Sequence, residues 1–261
     1  NPTVRKLSFT GSTEVGKILL SQCSSTVKKV SMELGGHAPF IVFEDADIDQ
    51  AVLGAMQSKF RNTGQTCVCA NRIFVHEKIY DEFLSKFTDA VSKIKVGNGL
   101  EEDSVSGPLI DEYSLAKVKE HVEDAVNTGA KIAIGGDMHN LGGNFYQPTI
   151  LSNVTSKAKI TYEETFGPVA PVYKFSSEEE VIKMANDTPY GLASYFYSRD
   201  IGRVWRVAEA LEYGIVAVNN GAPTKAEMPF GGMKESGSGR EGSKYGIDDF
   251  LEIKYISMAG I

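Results

Sequence analysis

Two hydrophobic periods alternate along this chain, and that alternation restricts its fold more than any other feature. Segments with helical spacing (Tyr80–Lys93, Ser114–Thr128, Glu178–Asn186 and Ile201–Tyr213) take turns with short β-branched and aromatic runs at Lys131–Ile134, Val169–Phe175, Ala193–Tyr197 and Ile215–Val218. Strands separated by helices pair most readily as parallel neighbours, so the pattern predicts an α/β fold with a mostly parallel sheet flanked by helices. The first third fits the same scheme. A strand at Lys6–Thr10 runs through a glycine turn into a helix, and "KKVSMEL" and "PFIVF" read as strands joined by Gly35-Gly36. Apolar positions Ile48, Ala51, Val52, Ala55, Met56 and Phe60 then recur at three to four residues, an amphipathic helix with Asp47 as N-cap, and the strand "RIFVH" follows. Ser177 with Glu180 offers a capping box, Gly214 stands where a helix C-terminal glycine belongs, and "FLEIKYISM" alternates as a last strand.

Composition narrows the function classes. A net charge of −7 without a long basic run argues against a nucleic-acid partner. No apolar run approaches the ~18 residues that a membrane span needs. Cys23, Cys67 and Cys69 are too few for a disulfide framework and fit a reducing compartment. The four histidines are scattered, and Cys67-Val68-Cys69 lacks zinc-knuckle spacing, so no metal site is expected.

Three segments carry chemistry-bearing residues. In "FTGSTEVG" a strand feeds a glycine turn and a helix, which aims backbone N–H groups and the positive helix end at an anion, with Ser12 able to add a hydroxyl. A plain strand-to-helix connection has the same look. Glu33 ends a strand just before two glycines, either as a solvated glutamate or as a general base. Cys67, inside "FRNTGQTCVCANR", follows a helix and two small polar residues. It is a small core filler, a redox partner of Cys69, or a nucleophile whose thiolate neighbouring groups stabilise. A cysteine protease would need a histidine base, and none of the four histidines stands in a suggestive motif.

Together "FTGSTEVG", "MELGG", "FRNTGQTC", "EETFGPV", "NDTPYGLAS" and "PFGGMKESGSGREGSKYG" stand in the order and spacing of the aldehyde dehydrogenase superfamily, which the chain resembles over nearly its whole length. The resemblance implies Cys67 as nucleophile and Glu33 as the base that activates the deacylating water. It further implies NAD or NADP as cofactor, with Ser12 on the pyrophosphate, Glu164 on the nicotinamide ribose, and Phe166 and Leu34 beside the ring. The Cys67 backbone N–H would form half of an oxyanion hole.

Within the superfamily, "KFRNTGQTCVCANR" and "GREGSKYGIDDFLEIKY" are most similar to succinate-semialdehyde dehydrogenases. That narrower likeness implies an aldehyde bearing a carboxylate, met by Arg61 six residues before Cys67. Thr224 stands where those enzymes carry a carboxylate-binding serine; it keeps the hydroxyl and adds a methyl. The Cys67/Cys69 pair resembles a redox-sensitive loop, although residues two apart reach disulfide geometry only with strain.

Superfamily chains are roughly twice this length. The likeness therefore divides the chain into residues 1–33 as the tail of a Rossmann-like cofactor domain, 34–236 as the catalytic domain, and 237–261 as a loop and an oligomerisation strand. It implies a homo-oligomer in the cytoplasm or the mitochondrial matrix. The rival expectation is an inactive fragment that serves only as a structural or interaction module.

Overall fold

The computed structural model describes all residues, Asn1–Ile261. Its strands are β1 (Lys6–Thr10), β2 (Lys29–Glu33), β3 (Ala38–Val42), β4 (Ala70–His76), β5 (Lys131–Ile134), β6 (Thr149–Ser152), β7 (Val169–Phe175), β8 (Tyr190–Gly191), β9 (Ala193–Tyr197), β10 (Ile215–Val218), β11 (Met233–Lys234) and β12 (Gly237–Ser238). The helices are α1 (Thr13–Ser24), α2 (Ile48–Lys59), α3 (Tyr80–Ser92), α4 (Glu112–Asn127), α5 (Glu178–Asn186) and α6 (Ile201–Ala210).

Seven strands form the main sheet in the order β10-β9-β3-β4-β7-β6-β5, all parallel except the β5/β6 pair. The central strands β3 and β4 are buried at every position. Strands covered on both faces have no polar side to show in sequence, hence the unbroken apolar runs. Side chains alternate between the faces. Phe40 and Val42 join the apolar cluster under α2 and α3, while Ile41 and Phe43 join the one under α4, α5 and α6.

A second sheet has three strands. β1 and β2 run parallel with α1 between them, and β12 lies antiparallel on the other side of β2. Glu33 pairs with Thr10 on one side and Gly237 on the other, so the candidate base is fixed by two ladders.

Most sequence-derived elements stand within two residues of their expected ends, with three corrections. The last helix ends at Ala210, and Gly214 does not cap it: Leu211 takes an extended conformation there. Gly214 is needed for close approach, because a Cβ on it would lie 1.9 Å from the Gly231 carbonyl oxygen. The stretch "FLEIKYISM" forms no strand; a short 3-10 turn covers Asp248–Phe250, and residues 251–261 pair with no strand of this chain. The capping box is offset by one residue. Ser177 Oγ accepts from Glu180 N, but Glu180 reaches back to the N–H and hydroxyl of Ser176.

Candidate active site

Five chain segments converge on one cavity of about 600 Å³. Thr10, Gly11 and Ser12 come from the β1–α1 turn, Glu33, Leu34 and Gly35 from the end of β2, Gln65, Thr66 and Cys67 from the loop before β4, and Glu164, Thr165 and Phe166 from the loop before β7. Helix α4 adds Ser114 and Lys117.

The cysteine loop reaches this wall through an unusual backbone. Asn62, Thr63 and Gly64 take φ values of 51°, 58° and 72° in succession. The left-handed region is uncommon for non-glycine residues, above all β-branched ones, and costs about 1–3 kcal/mol each. Surrounding contacts impose it on Thr63: the side chain is buried, and its Oγ1 accepts from Gly107 N at 2.9 Å and donates to Gly107 O at 3.2 Å. Gln65 continues the clamp, accepting from Ile110 N and donating to Pro108 O. Gly36 completes it, since a Cβ there would stand 2.2 Å from the Cys67 carbonyl oxygen. Gly36 thus lets the segments bearing Glu33 and Cys67 touch.

Three ionisable acids share this confined space. Glu33 is 4% exposed, and its Oε2 has no hydrogen-bond partner. Burial, then the charge of Glu241, push its carboxyl up to about 8, against the pull of Arg240. Glu164 accepts from Gly36 N at 3.0 Å, and burial raises it to about 7. The Cys67 thiol is pushed up to about 11 by burial and by the charges of Glu164 and Glu33, while the N–H groups of Cys67 and Val68 draw it down. Those N–H groups would serve an oxygen anion at the same place.

The cavity fits a nicotinamide cofactor. Ser12 is the N-cap of α1 and accepts from Val15 N at 3.4 Å, so the positive helix end opens onto the cavity wall where a diphosphate would lie. Glu164 presents a carboxylate in the cavity lining, able to accept from sugar hydroxyls, with Leu34 and Phe166 as apolar surface nearby. Phe166 is itself left-handed, with φ 53°.

The other candidates lie apart. Cys69 is fully buried, and its Sγ donates to Lys59 O at 3.1 Å; both Cys67 and Cys69 are free thiols. Arg61 is exposed at the end of α2, close enough for its charge to act on the Tyr195 phenol, whose hydroxyl donates to Val68 O. Thr224 is half-buried in the loop after β10. Neither lines the cavity. Sequence reasoning missed Lys117 and Ser114, whose spacing places them on one face of α4 but does not reveal what that face looks at. It also missed the fully buried Lys59, held by Asn71 Oδ1 at 2.9 Å behind the cysteine loop.

A thiol and two raised carboxyls share this cavity with a helix N-terminus, an arrangement suited to covalent carbonyl chemistry beside a phosphate-bearing ligand. The Aldehyde dehydrogenase family profile matches residues 1–256, and the chain belongs to this family. It is 60% identical over 261 residues to a 3-sulfolactaldehyde dehydrogenase of Pseudomonas putida, covering 100% of this chain and 54% of that protein. It is also 60% identical over 256 residues to the NADP-dependent succinate-semialdehyde dehydrogenase GabD of Escherichia coli K12, covering 98% of this chain and 53% of that one. The crystal structure of a succinate-semialdehyde dehydrogenase from Burkholderia pseudomallei superposes with a TM-score of 0.97 at 59% identity, over 98% of this chain and 53% of that one. The chain spans about half the length of the curated relatives it matches.

Proposed function

We propose that this chain is the catalytic part of an NAD(P)-dependent aldehyde dehydrogenase, with residues 1–33 completing a cofactor domain, 34–236 carrying the chemistry and 237–261 joining a homo-oligomer. The observation that carries the reading is that Cys67, Glu33, Ser12 and Glu164 all line one cavity. The Cys67 thiol gives its proton to solvent, its Sγ adds to the aldehyde carbon, and the resulting oxyanion meets the Cys67 and Val68 N–H groups. The hydride on this carbon would pass to NAD or NADP held by Ser12, Glu164, Leu34 and Phe166, the oxidising chemistry that such a cofactor would supply. Glu33 takes a proton from the water that attacks the thioester, which releases the acid and the free thiol. An unpartnered, desolvated carboxyl raised to about 8 is a stronger proton acceptor than an ordinary glutamate.

The aldehyde we favour is succinate semialdehyde. The sequence likeness around Arg61 favours it, and the names of the two relatives share an aldehyde with an anionic tail, a carboxylate in one and a sulfonate in the other. The test compares succinate semialdehyde with butanal in the whole protein and two variants. Cys67→Ala should abolish turnover of both while cofactor still binds; substantial turnover would sink the nucleophile assignment. A charge-assisted bond contributes about 1.5–3 kcal/mol, so Arg61→Ala should lower kcat/KM about ten- to a hundredfold for the acid aldehyde alone. Equal losses for both aldehydes would make Arg61 structural and reduce the substrate to aldehydes in general.

A further inference from the structure

We propose that His121 is the positioning residue for the cofactor-facing segment Glu163–Phe166. The inference rests on the reading of Glu164 as a cofactor-binding residue. Ser114, Lys117 and His121 succeed one another at helical spacing along α4. The first two line the cavity, and the third lies one turn further on, 1% exposed. Its ring is held at both nitrogens by the same segment: Nδ1 stands 3.1 Å from Thr165 Oγ1 and Nε2 stands 3.2 Å from Glu163 Oε2. A neutral ring fits one arrangement, in which Nε2–H donates to the Glu163 carboxylate and Nδ1 accepts the Thr165 hydroxyl. Burial lowers the His121 pKa, which favours that neutral form.

The two anchored residues flank Glu164, and the next residue is the left-handed Phe166. A backbone held in a sparsely populated conformation persists only where neighbours over-determine it. The Glu164 carboxylate itself has one backbone hydrogen bond, from Gly36 N. The imidazole therefore fixes the chain on both sides of the carboxylate that faces the cavity, and it does so from behind, without touching the cavity. Its loss should cost cofactor binding and leave the Cys67 chemistry in place.

The experiment uses the whole protein with His121→Phe, which keeps the size and removes both bonds, His121→Gln, which restores one, and Glu163→Ala, which cuts the Nε2 bond from the solvent side. The readouts are the Kd for NADH and NADPH by fluorescence, hydrogen exchange of the peptide across residues 161–167, and the rate of Cys67 alkylation. His121→Phe should raise the Kd and the cofactor KM about five- to tenfold, the worth of roughly one hydrogen bond. It should speed exchange of that peptide and leave alkylation and kcat within about twofold. His121→Gln should recover part of the loss, and Glu163→Ala should show a smaller shift in the same direction. Unchanged Kd and exchange in His121→Phe overturn the proposal, as does an equal loss of every readout. Should His121→Phe fail to fold, Glu163→Ala decides alone. A Glu164→Ala arm separates the two readings: if it too leaves the Kd unchanged, the assignment of Glu164 has failed, and if it alone weakens binding, only the role of His121 has.

Discussion

At the scale of single residues, the site is a trade between stability and reactivity. Glu33 carries the clearest sign of it. A carboxyl whose folded pKa is raised from 4.5 to about 8 costs stability as pH rises, because the unfolded chain ionises first and the folded state must then ionise in a desolvated place. The penalty is absent below the unfolded value and grows through the window from about pH 4.5 to 8. Glu33→Gln removes the ionisation and should raise Tm at about pH 8.5 while leaving it nearly unchanged at about pH 4.5. The same variant should stall after one burst of reduced cofactor per site, and the rise of deacylation with pH near 8 should vanish with it. A Tm difference that is flat across pH, or unaltered steady-state turnover, would assign the base elsewhere. The sequence singled out Cys67 and Glu33 because their neighbours form recognisable motifs, and the structure brings both to one cavity. Their perturbation was not legible there, since desolvation depends on what the rest of the chain stacks over them.

At the scale of elements, the site depends on places where backbones nearly touch. Gly36 is the sharpest case: its missing side chain is filled by the Cys67 carbonyl, while its N–H holds Glu164. Gly36→Ala must push the cysteine loop away or break that bond. Backbone atoms have little freedom to give, so the cost falls on geometry at Cys67. We expect kcat to fall by at least about tenfold, since misplacement of about 1 Å can cost a hundredfold. The far end of α4, probed by hydrogen exchange, should stay unaffected. Near-normal kcat in Gly36→Ala would show that the two loops are looser than they stand here. The sequence made the glycine pair visible as a turn; it could not show which chain passes over it. Short elements were illegible for a related reason. β8, β11 and β12 have two residues each and exist only through their partners, and β6, Thr-Ile-Leu-Ser, shows no alternation of polar and apolar positions. The terminal alternation failed in the opposite direction, since a strand pattern with no ladder to join stays unpaired.

At the scale of the whole molecule, the chain holds two regions of unequal self-sufficiency. The seven-stranded sheet has an apolar cluster on each face, of 24 and 23 buried residues, both drawn entirely from this chain. The three-stranded sheet has no such cover. Of α1 only Gly16 and Cys23 are buried, and its apolar Ile18 is 56% exposed. Local stability tracks buried apolar contact, so the two regions should open independently when this chain is expressed alone. Hydrogen exchange should then show β3 and β4 protected to the global limit and β1 and α1 exchanging far faster. Cofactor affinity should be weak and aldehyde turnover negligible, because Ser12 sits on the unsupported helix and the chain spans only half of its relatives. In the whole protein α1 should rise to the protection of the central strands. Uniform protection in the isolated chain would mean that the small sheet draws its stability from β12 and the loops around it. Robust turnover would mean that the groups needed for catalysis all lie within these 261 residues.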